Sequence, residues 1–79
     1  MSILLIWEEV PEKTTAYLLD GELAELARQS AGKFINSSDL SDDDPIYALN
    51  DALPNVTPLG GYGPFIGPFD GVVICGFVM

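Results

Sequence analysis

Histidine is absent from the 79 residues, which carry one cysteine, three basic side chains and no apolar run near the roughly 20 residues of a membrane span. Without histidine the commonest general base and transition-metal ligand is missing. The lone Cys75 excludes an internal disulfide. It sits inside an apolar run with no neighbour to hold a thiolate, so it reads as core filler and not as a nucleophile. Lys13, Arg28 and Lys33 stand against 12 acidic residues, for a formal net charge of -9. Three cations cannot replace the counterions around phosphates, so direct binding to nucleic acid or anionic lipid is not expected. The segment Met1 to Trp7 lacks the basic leader and small-residue cleavage site of a signal peptide, and a cytoplasmic setting is the expectation.

What is present is grease and negative charge. Hydrophobic residues make up 48% of the chain. A chain this short buries only about 60% of the surface its unfolded form exposes, so one domain over 1–79 with surplus apolar surface is expected. That surplus suits a partner, a homodimer or a higher oligomer. The anionic field attracts basic surfaces and weakens with salt.

Along the chain, Ile3 to Trp7 is a short apolar run, and Pro11-Glu12-Lys13 follows as a turn before the β-favouring Thr14 to Leu19. A hairpin is predicted, with strands over 2–10 and 13–19. Asp20, placed to accept from free N–H groups, then starts a helix over 22–31 with Leu23, Leu26, Ala27, Ser30 and Ala31 on one face and Gly32 as its stop. Phe34 and Ile35 are expected to plug the core. A second helix runs from Pro45 to Leu53, capped by Asp44 and ended by Pro54, with Ile46, Leu49 and Leu53 inward. The stretch 54–70 holds four of the six prolines and Gly60, Gly61, Gly63 and Gly67, so a loop is predicted there. The segment 71–79 reads as a strand apolar on both faces and central in the sheet. The predicted fold is α+β: a three-stranded, mainly antiparallel sheet, ββααβ, order 2-1-3, both helices on one face. Its other face would be capped by the Pro/Gly loop, a second copy or a partner.

Candidate chemistry is thin, and no enzyme, cofactor or metal is expected. Glu8 and Glu9 are adjacent on a strand and point to opposite faces, a poor acid-base pair; Glu8 and Glu12 read as edge or turn residues in solvent. Asp39, Asp42, Asp43 and Asp44 suggest calcium. A loop starting at Asp39 nevertheless has Asp44 where an EF-hand needs glycine and Asn50 where it needs glutamate. Helix capping, solubility or a partner-facing acidic patch remain for them. The glycines of 60–67 fit neither phosphate-loop spacing, and no lysine follows them. Tyr62, Phe65 and Phe69 are either packing over the core or an aromatic recognition loop.

The string Leu4-Leu5-Ile6-Trp7-Glu8-Glu9-Val10-Pro11-Glu12 with Tyr17-Leu18-Leu19 resembles small accessory proteins of tailed bacteriophages. Gly32 to Asp39, Leu49-Asn50-Asp51-Ala52-Leu53 and Gly76-Phe77-Val78 add to the likeness, which covers about half the chain. The resemblance implies the cytoplasm of an infected bacterium. It also implies a non-enzymatic inhibitor of a host or defence protein, of anti-CRISPR or anti-restriction type, which occludes a basic nucleic-acid-binding surface. Asp39, Asp42, Asp43, Asp44 and Asp51 would form the electrostatic face, with Glu8, Glu9 and Glu12 as a second candidate. The alternatives are a homo-oligomeric sponge that stacks a nucleotide-like immune signal on Tyr62, Phe65 and Phe69, and a virion assembly subunit.

Overall fold

A computed structural model describes residues 1–10, 13–36, 44–59, 65 and 67–78, Val10 by its backbone alone. Its order is β1 (Ser2–Val10), β2 (Lys13–Asp20), α1 (Gly21–Gln29), β3 (Phe34–Asn36), α2 (Pro45–Ala52), a 3₁₀ turn over Leu53–Asn55, and β4 (Gly71–Val78). The sheet is four-stranded and mixed, in the order β2-β1-β4-β3. β1 pairs antiparallel with β2, Ser2 opposite Asp20 and Glu9 opposite Lys13, while β4 runs parallel to both β1 and β3.

Two expectations are corrected here. The last strand does dock beside the first, but parallel to it, because of where the preceding chain enters. After α2 the backbone returns to β2, where the Leu59 N–H donates to the Ala16 carbonyl at 2.8 Å. It then reaches the start of β1, where the Asp70 N–H donates to the Ser2 carbonyl at 2.7 Å. β4 therefore begins at the same end as β1 and must run with it. The second correction is Phe34–Ile35, which forms the extra edge strand β3. Ile35 packs against the core while Phe34 is exposed, since neighbouring strand residues face opposite ways. β3, α2 and β4 together make a parallel crossover, the connection that parallel strands require.

Both helices cover one sheet face, as the pattern predicts. The core joins Ile3, Leu5, Trp7, Leu19, Val73 and Cys75 of the sheet to Ala24, Ala27, Ile46, Leu49 and Leu53 of the helical side. α1 presents Ala24 and Ala27, whose small side chains let the helix approach closely, with Leu23 and Leu26 half-buried beside them. Ala31 is exposed, contrary to expectation, because α1 ends at Gln29. Asp20 occupies the N-cap position without a side-chain cap bond, and buried Ser30 at the far end donates from Oγ to the Leu26 carbonyl at 2.8 Å. Gly32 then turns the chain at φ +74, a backbone region open to glycine, and its N–H reaches the Ile74 carbonyl at 2.8 Å. α2 follows its prediction: Asp44 Oδ1 accepts from the Ile46 N–H at 3.1 Å, with Pro45 in the first turn. Edge-on contact of Trp7 with Phe77, ring centroids 5.4 Å apart, closes the core near the far end of β1.

Candidate functional site

Alternation along the strands sorts the sheet into two faces. Odd residues of β1 face the helices. The opposite face carries Leu4, Ile6 and Glu8 of β1, Ala16 and Leu18 of β2, Val72 and Ile74 of β4, and Phe34 of β3, in one contiguous array set by the strand registers. Leu4 and Ala16 are buried there. Leu18 is 46% exposed, Phe34 42%, Ile74 47% and Val72 60%. These apolar residues were not singled out from the sequence. A continuous apolar strand reads as buried on both faces, and only the sheet order reveals which half lies open.

Of the acidic residues singled out from the sequence, the described ones, Glu8, Glu9, Asp44 and Asp51, do not form one surface. Glu8 and Glu9 point to opposite faces as predicted, and both are half-buried on a central strand, so Glu8, contrary to expectation, is not at an edge in solvent. Glu9 lies on the helical side, where the Trp7 indole N–H donates to its Oε1 at 3.4 Å. Burial, followed by the Glu9 charge, pushes the Tyr17 hydroxyl above its ordinary pKa. Asp44 caps α2 and accepts from Lys33 Nζ at 3.3 Å, so its charge is committed within the fold. Asp51 is exposed on α2. Phe65 and Phe69 are half-buried. Asp39, Asp42, Asp43, Glu12 and Tyr62 lie outside the described residues.

The cations are distributed unevenly. Arg28 pairs with Glu25 at 3.0 Å on α1, Lys33 pairs with Asp44 at the start of α2, and Lys13 stands opposite Glu9 in the register. All three therefore belong to the helical side. The open face carries Glu8, and Asp70 lies at the start of β4, its Oδ2 accepting from the Ser2 N–H at 2.6 Å. Charge and grease meet there with no basic side chain between them.

Among the described residues no pocket forms, and no three metal-ligating side chains converge. Cys75 is completely buried, and burial pushes its thiol up from 9.0 to about 11. In the folded chain it should resist iodoacetamide at pH 8 and react once urea exposes it. The raised value means that the folded state holds the proton after the unfolded chain has released it. The stability this contributes is complete below pH 9 and lost as pH rises to about 11, amounting to up to about 3 kcal/mol. Urea titrations across this range should show the loss in the native chain and a smaller one in Cys75→Ala; identical pH profiles would refute the assignment. Comparison with family models, curated proteins and solved structures found no match.

Proposed function

We propose that the chain is a non-enzymatic binding protein that occludes the basic, nucleic-acid-binding surface of a bacterial protein, in the manner its resemblance to phage accessory proteins implies. The observation that carries this reading is the net charge of -9 together with the placement of the cations. Two of the three are held in ion pairs with Glu25 and Asp44, so the surplus carboxylates elsewhere make the field that an approaching partner meets. Such a field accelerates encounter with a basic surface and suppresses acidic competitors. Described side chains offer no pocket to hold a small substrate, and the one thiol is shielded and protonated.

The test is competition. A basic bacterial DNA-binding domain is loaded with a fluorescent duplex, and the chain is expected to release the duplex at low salt and to fail as salt rises from about 0.05 to about 0.5 M. The variant Asp39→Lys with Asp42→Lys and Asp43→Lys should need at least about tenfold more protein for the same release. Asp44 is left intact because it caps α2. Undiminished competition by that variant would remove these aspartates from the interface, and salt-independent competition would remove the electrostatic reading altogether.

A further inference from the structure

The open sheet face is not uniform. On its β1–β2 part Leu4 and Ala16 are buried and Leu18 alone of the large apolar side chains is exposed, whereas Val72, Ile74 and Phe34 form an exposed strip along β4 and the edge strand β3. Ile74 and Phe34 are diagonal neighbours, since Phe34 pairs with Gly76, two residues beyond Ile74. Gly76 has no side chain to separate them from Glu8, its partner on β1. The strip is thus flanked by the Glu8 carboxylate on one side and ends at Asp70, with every basic side chain on the far side of the sheet.

We infer that this strip is a docking surface for a protein segment that presents an apolar ridge flanked by lysine or arginine. Water leaves the apolar side chains when the ridge is seated, which supplies the affinity, and the carboxylates select the sign of the flanking charge. A second copy of this chain fits poorly. Facing two strips would bring Glu8 and Asp70 of each copy into the other's field, between molecules of net charge -9. An anionic polymer is disfavoured for the same reason. The inference rests on the chain being a binding protein, but not on which aspartates draw the partner in.

Two synthetic amphipathic helices of about 18 residues serve as probes, one with leucine on one face and lysine elsewhere, the other with glutamate in place of lysine. Titration should show binding of the lysine peptide alone. Val72→Thr with Ile74→Thr and Phe34→Thr should weaken it at least about tenfold. Threonine keeps the β-branched shape of Val72 and Ile74, suits a strand at position 34 as well, and leaves the charge unchanged, so non-specific attraction of the peptide would survive. Unaltered near-ultraviolet dichroism of Trp7 certifies the fold. The inference is overturned if the threonine variant binds as well as the parent, if neither peptide binds, or if the glutamate peptide binds equally. It is also overturned if the parent sediments as a dimer that the threonine variant dissolves. The Asp39, Asp42 and Asp43 reversals separate the two readings. Loss of duplex competition in them, with lysine-peptide binding abolished only by the threonines, sustains both. Threonine-insensitive binding sinks the strip and leaves the acidic reading standing.

Discussion

Gly76→Ala should destabilise the chain by about 3 kcal/mol, which for a domain of this size lowers the thermal midpoint by roughly 10–20 °C. A Cβ at this position would run into the main chain of Glu8, the residue paired with it across β1 and β4. The obstacle is backbone, so no rotamer change relieves it. Either β4 moves away from β1 or the pairing between them breaks. The control is Gly71→Ala at the other end of the same strand, where the added carbon would meet only the tip of the Ile3 side chain, Cδ1 at 3.3 Å. That substitution should shift the midpoint by no more than a few degrees, because a side-chain end yields readily. Thermal unfolding followed by circular dichroism measures both, and equal midpoints for the two variants would show that the close approach of β1 and β4 does not exist in solution.

Leu49→Ala should cost about 3 kcal/mol, read from urea unfolding. Leu49 is completely buried on α2 amid the core that joins both helices to the sheet. Removing it deletes apolar burial and leaves a cavity where helix and sheet cannot collapse fully together. The total stability of a chain of 79 residues is roughly 4–12 kcal/mol, so this one truncation uses a large fraction of it. Ala48, exposed one position earlier on the same helix, provides the comparison: Ala48→Ser should change stability by about 0.5 kcal/mol or less. Because Leu49 lies across the sheet from Val72 and Ile74, Leu49→Ala at low temperature should still bind the lysine peptide. Loss of stability and loss of binding are then separable.

The functional residues divide in the same way as the elements. That Glu8 and Glu9 face apart, that Asp44 caps a helix and that Cys75 is buried were all legible from strand alternation, proline placement and the apolar run around the thiol. The ion pair of Asp44 with Lys33 was not legible, since it joins residues far apart in the chain and has no local signal. Surplus apolar area was expected on the face away from the helices, but the residues of the exposed strip were not singled out, for a related reason. Val72, Val73, Ile74 and Cys75 are alike in hydrophobicity, and nothing local tells which two face the helices.

Local chemistry alone therefore set the hairpin, the existence of both helices and the capped start of the second, the strong anionic field and the burial of Leu5, Leu49 and Cys75. Period, capping and charge act over a few residues and need no partner across the fold. The direction of β4, the recruitment of Phe34–Asn36 as an edge strand and the division of one apolar strand into a core face and an open face came only with the assembled sheet. Each depends on where a long connection re-enters, at Leu59 beside β2 and at Asp70 beside Ser2, and such closure is a property of the whole chain.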